Sequence, residues 1–112
     1  MKVDFIKKNT VLLIKINGEI DHHSAAEVRE KIDLYITGSN TKYIVMDFSK
    51  VGFMDSSGIG MVMGRYKNIK RVGGELCIVS ANSSVKRILD MSGITSVIPV
   101  YKNKEEFLEV IK

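Results

Sequence analysis

The chain has 112 residues, a formal charge of +4, one cysteine and 45% hydrophobic residues. That is one domain, 1–112, with room for a single core but none for a deep cleft between domains, and its apolar content excludes general disorder. The single Cys77 excludes an internal disulfide, offers no metal-ligand spacing and reads as a buried structural thiol inside Leu76–Val79. Apolar runs such as Val11–Ile14 stop far short of the roughly 20 residues that cross a bilayer. Met1–Asp4 has no signal-peptide core, so the cytoplasm is the expected location. The basic residues Arg65, Lys67, Lys70, Arg71, Lys86 and Arg87 lack interleaved aromatics and read as solvated helix faces, not as a nucleic-acid platform.

In chain order, Val3–Ile6 and Val11–Ile16 are β-rich runs separated by Lys7–Thr10, the pattern of a hairpin. Ser24 with Glu27 has capping-box spacing. After it Ala25, Val28, Ile32, Tyr35 and Ile36 share one helical face, which Gly38 terminates. Lys42–Phe48 is a strand whose centre, Ile44–Met46, is apolar on both faces, as in a central strand covered on each side. Ile59, Val62, Tyr66 and Ile69 mark a second helix ending at Gly73–Gly74, and Leu76–Val79 is a buried strand. Asn82–Ser84 caps a short helix carrying Val85, Ile88 and Leu89. Val97–Ile98 reads as a last strand, and Asn103 with Glu106 opens a terminal amphipathic helix. A hairpin followed by alternating helices and strands gives one mixed sheet, largely parallel after its first edge, with helices packed against it. Ligands of such sheets sit at the carboxyl ends of strands.

Asp55-Ser56-Ser57-Gly58 stands at such an end, where a strand gives way to a helix. A helix start carries unpaired N–H groups and about half a positive charge, so either serine can cap it and a phosphate there is favoured. Capping needs one side chain, and three are supplied. Gly58, Gly60 and Gly64 follow within one helix, each costing about 1 kcal/mol relative to alanine, which calls for close approach by the sheet beneath or a partner above. If Ile59, Val62, Tyr66 and Ile69 face the sheet, Met61, Gly64 and Arg65 fall on the outer side. Met61 is then either a peripheral core residue or part of a repacking contact surface.

The segment fits no catalytic motif. A dinucleotide fingerprint needs glycine where Met63 stands, a P-loop needs a Gly-Lys-Ser/Thr ending, and a nucleophile elbow needs glycine where Met54 stands. His22 and His23, with Asp21 orienting, form the only conceivable base for Ser56, and they give no metal set. The expected protein is not an enzyme and has no cofactor or metal of its own. A regulatory binding protein switched by phosphate on Ser56 or Ser57 and a small-molecule or nucleotide-binding module both remain open.

Four segments, Gly18–His23, Phe53–Gly60, Gly73–Glu75 and Val85–Gly93, resemble the anti-sigma factor antagonists of spore-forming bacteria, members of the STAS fold also found at the C-terminus of sulfate transporters. The Asp-Ser-Ser-Gly element is specific to the antagonist branch. The Asp-His-His and Asp-Met-Ser-Gly flanks resemble the sporulation antagonists of the anti-sigma-F factor. The resemblance implies partner switching: the unphosphorylated form binds a dimeric anti-sigma factor, itself a serine kinase with a GHKL-type ATP site, and frees the sigma factor. That kinase uses ATP to phosphorylate the first serine, here Ser56, and the modified protein dissociates until a PP2C-type phosphatase restores it. By the same match Asp21 contributes to kinase recognition, Ser57 and Gly58 shape the loop, and Ile59–Lys70 is the docking helix. The expected docking set is Asp21, Asp55, Ser56, Ser57, Gly58, Gly60, Met61, Gly64 and Arg65.

Overall fold

The computed structural model describes residues 1–111. Strand β1 (Lys2–Lys8) pairs antiparallel with β2 (Val11–Ile20), and helix α1 (His22–Ile36) crosses over to β3 (Tyr43–Met54), which lies parallel to β2. Helix α2 (Ser56–Arg71) leads to β4 (Glu75–Val79), and α3 (Ser83–Ser92) with a short 3₁₀ turn (Ile94–Ser96) leads to β5 (Val100–Tyr101), both strands parallel to their neighbours. Helix α4 (Lys104–Val110) closes the described chain. The five strands lie in sequence order, so the sheet is mixed, with its antiparallel pair at one edge, as the alternating pattern requires.

Alternation along the strands builds two unequal layers. Leu12, Ile14, Ile16, Ile44, Met46, Phe48, Leu76 and Ile78 point to one face and pack with Ala25, Val28 and Ile32 of α1, Val62 and Ile69 of α2, and Val85 and Leu89 of α3. Leu13, Val45, Cys77 and Val79 point the other way and meet only Phe107 of α4 among the fully buried residues. Burial pushes the Cys77 thiol up to about 12, so it stays protonated at neutral pH, in keeping with a structural role.

Three expectations are corrected. Val97–Ile98 is not a strand: both amides donate to Ile94 O, at 3.1 and 2.9 Å, and so close the end of the 3₁₀ turn. Sheet pairing resumes only at Pro99, whose carbonyl accepts from Ile78 N–H at 3.0 Å, and β5 begins just after the proline. The first helix starts earlier than Ser24. Asp21 is its N-cap, its carboxylate accepting from Ser24 N–H at 2.9 Å while Ser24 Oγ accepts from Asp21 N–H at 2.9 Å. Finally, the central strand does not stop at Phe48. It runs on to Met54, taking in two irregularities against β2, between Lys15 and Asn17 and between Gly18 and Ile20. Those extra residues on β3 bring Met54 level with Ile20 and place Asp55 beside the start of α1.

Candidate partner-docking site

The strand-to-helix corner is built from two parallel neighbours. Asp55 N–H donates to Ile20 O at 3.1 Å, so the turn into α2 is tied to the turn into α1, and Asp55 and Asp21, the caps of the two helices, stand side by side in the fold. Asp55 caps α2 by accepting from Ser57 N–H at 2.8 Å, while its carbonyl accepts from Gly58 N–H at 3.0 Å. Of the three side chains supplied at this corner, the carboxylate and not a serine takes the cap. With the carboxylate doing that work, both hydroxyls are released: neither Ser56 Oγ nor Ser57 Oγ hydrogen-bonds to any described residue. Ser56 is exposed, whereas Ser57 is half-buried and lines a shallow furrow of about 200 Å³ with Ala25, Arg29, Gly60, Met61 and Arg65.

The three glycines separate by cause. A Cβ on Gly58 would lie 2.6 Å from Met54 Sδ and 3.0 Å from Ile20 Cγ2, and would overlap Met54 Cγ, so the end of the sheet itself demands glycine there. A Cβ on Gly60 or Gly64 would meet nothing within 4 Å. Their own fold has no steric need of them, and both reduce helix propensity.

Met61 and Arg65 are not on the outer side. They are 5% and 7% exposed, sealed where α1 packs along α2. The apolar stripe of the sequence marks only the side of α2 toward the sheet; α1 buries a second side, which no periodicity in α2 alone reveals. Arg65 Nε reaches Asp33 Oδ1 at 2.9 Å, while Nη1 is buried without a partner. Burial lowers the Arg65 pKa, Asp33 opposes that, and Arg29 adds to the lowering. The outer side of α2 instead runs through exposed Ser56, Gly60 and Lys67 at helical spacing, with half-buried Gly64 on its flank, while Met63 is half-buried and packs against the core. Lys67 was missed because the ridge could be drawn only after α1 had claimed its side.

Phe53 was missed as well. It is 46% exposed at the carboxyl end of β3, two residues before Asp55, and becomes visible as a surface aromatic only when the strand is known to extend past Phe48. Asp21 carries a carboxyl held below its usual range, first by the Ser24 backbone N–H, then by the Ser24 hydroxyl and, more weakly, the His23 N–H and charge. His22 and His23 are exposed in the first turn of α1, edge to face at 5.6 Å, and neither ring hydrogen-bonds to a described residue, so no serine–histidine pair is assembled. Among the described residues no cluster of three or more His, Cys, Asp or Glu could hold a metal, and no helix is long and apolar enough to cross a membrane.

Comparisons with known proteins identify the family to which this fold belongs. The STAS domain family model covers residues 2–107. An anti-sigma F factor antagonist of Paenibacillus polymyxa is 38% identical over 104 residues, 93% of this chain and 89% of that one. The chain belongs to the STAS family of anti-sigma factor antagonists. The solved structure of the antagonist SpoIIAA in its unphosphorylated form matches this STAS chain with a TM-score of 0.83 at 26% identity, covering 97% of this chain and 96% of the other. SpoIIAA of Bacillus in its phosphorylated form matches with a TM-score of 0.75 at 25% identity over 99% and 100%. The STAS fold expected from the four segments is the fold found, and the relatives are named as regulators, not enzymes.

Proposed function

We propose that this STAS protein is a phosphorylation-switched antagonist of an anti-sigma factor in the sporulation sigma-F pathway, working in the cytoplasm. The unmodified form docks through Phe53, the Asp21–Asp55 pair and the Ser56–Gly60–Gly64 ridge onto the anti-sigma factor, which releases its sigma factor. The single observation that carries this reading is the Ser56 hydroxyl: exposed, unbonded and set at the first position of a helix already capped by Asp55. The anti-sigma factor is proposed to be a dimeric serine kinase with a GHKL-type ATP site. It transfers the γ-phosphoryl group of ATP to Ser56 Oγ, ADP departs, and the hydroxyl proton is lost to the kinase. A PP2C-type phosphatase reverses the step by hydrolysis.

Exposure favours Ser56 over Ser57, which lies half in the furrow. Phosphate adds about two negative charges next to Asp55 and near Asp21. The positive end of α2 tolerates them in water, but inside an interface they meet like charge and lose hydration. The switch therefore needs no refolding. Asp55 argues against the alternative of a nucleotide held at this corner, because its carboxylate already takes the Ser57 N–H that a free phosphate would need. The test is to incubate the protein with the anti-sigma factor kinase and ATP and to map the modified residue by mass spectrometry. Phosphate on Ser56, with loss of the complex, is expected. Phosphate confined to Ser57, or a phosphorylated form that stays bound, overturns the proposal.

A further inference from the structure

The two faces of the sheet are covered unequally. Three helices lie over one face, while the other has only the seven residues of α4. Between α4 and the β1–β2 hairpin that thin cover leaves a groove of about 440 Å³. Its floor is Leu13 and Val45, its banks are Ile6 of β1 and Leu108 of α4, and Ile6 is 53% exposed within it. The volume falls in the range of small-molecule pockets and is short for a partner helix.

Charge selects the class of ligand. Lys8 on β1 and Lys104 at the start of α4 stand on opposite banks, and among the described residues no acidic side chain lines the groove. Both lysines are exposed and neither has an ion-pair partner among the described residues, so each ammonium is free to meet an anion at the groove. An apolar trough with an unpaired cation on either bank is complementary to a molecule with a hydrocarbon body and one anionic head.

We propose that this groove binds a fatty carboxylate, its alkyl chain on Leu13 and Val45 and its carboxylate paired with Lys8 or Lys104. The groove opens on the face of the sheet opposite α2, so such a ligand and the partner docked on α2 do not compete. The inference is therefore independent of the proposed switch.

A dansyl-labelled undecanoate titrated into the intact protein tests it, since the chain has no tryptophan to interfere. Saturable one-to-one binding is expected, displaced by laurate about fivefold better than by methyl laurate, a modest preference because the paired lysines are partly solvated. Replacing both lysines, Lys8→Gln with Lys104→Gln, should erase the preference for the acid while the ester still binds. Ile6→Glu should abolish both without changing the unfolding midpoint, since Ile6 is largely exposed. Ser56→Asp should leave all of this unchanged. The absence of saturable binding, equal displacement by acid and ester, or insensitivity to the lysine pair would each overturn the proposal. So would sedimentation of the ligand-free protein as a dimer that Ile6→Glu converts to monomer, since a second copy would then be the occupant.

Discussion

Helix α2 has two flanks that spend glycine for different reasons. On the inner flank Gly58, Met61 and Arg65 are packed against Met54, Ile20 and α1, and every residue there is dictated by contacts within the chain. On the outer ridge Ser56, Gly60 and Gly64 touch nothing that requires them: a Cβ fits at either glycine and the serine hydroxyl has no partner among the described residues. A helix that gives up roughly 1 kcal/mol at each of two sites, with no steric return within its own fold, is shaped for something outside it. The contrast separates residues that make the fold from residues left for the proposed docking contact.

The sharpest way to break that distinction is to place the same side chain on both flanks. Gly58→Val is expected to destabilise the protein by about 3 kcal/mol, because its Cβ falls inside Met54 and its branches force the end of the sheet apart. Gly60→Val should leave stability within about 0.5 kcal/mol, valine being a somewhat better helix former than glycine at an open site. Urea unfolding measures both. Similar losses at the two positions would erase the difference between the flanks. Binding should respond in the opposite sense, with Gly60→Val weakening capture of the anti-sigma factor while leaving the fold intact.

Next in size is Ser56→Asp, which should fold normally and weaken the complex about a hundredfold, roughly 2.7 kcal/mol, by placing a charge beside Asp55 in the interface. Ser56→Ala should bind as the unmodified protein does and resist the kinase. Calorimetry with the partner reads both. Unchanged affinity in the aspartate variant would remove the electrostatic basis of the switch.

Arg65→Met tests the inner flank by charge. It removes a buried cation with an unpartnered Nη1 but strands only Asp33, a residue whose side chain is 45% exposed and can be rehydrated. The expected cost is therefore about 1 kcal/mol, well below that of breaking a fully buried pair. Arg65→Ala adds a void between α1 and α2 and should cost about 2 kcal/mol more. Partner affinity should change little in either, since the guanidinium is sealed from the ridge.

The order of helices and strands, the central strand and the Asp55–Gly58 corner were legible because each rests on local periodicity or on turn and cap chemistry. Gly58 could be singled out as costly from α2 alone, but its reason could not, since Met54 and Ile20 reach it through pairing between distant strands. The burial of Met61 and Arg65 escaped for the same kind of reason. A helix covered on two sides shows a stripe toward the sheet, and the flank claimed by α1 carries a methionine and an arginine that mimic a surface. Phe53 was hidden by the irregularities that carry β3 past Phe48, where strict alternation fails. The cap of α2 stayed open and that of α1 was placed at Ser24 because serine and aspartate cap equally well, so only geometry distinguishes Asp55 from Ser56 and Asp21 from Ser24.

The smallest effect concerns the cap that joins the site to α1. The Asp21 carboxyl is held below its usual range by groups of the folded first turn, chiefly the Ser24 N–H and hydroxyl. Because the folded pKa is depressed, its contribution to stability is complete above the ordinary carboxylate value near 4 and is lost as pH falls through the lower folded value. Amide exchange at His23 and Ser24, whose N–H groups donate to Asp21 Oδ1, should speed up as pH drops below about 4, after correction for intrinsic rates. In Asp21→Asn the amide oxygen still caps but does not titrate, so the corrected protection should stay flat across the same range. If the two proteins lose protection together, the acid response belongs to another carboxylate, and Asp21 is coupled to the corner by geometry alone.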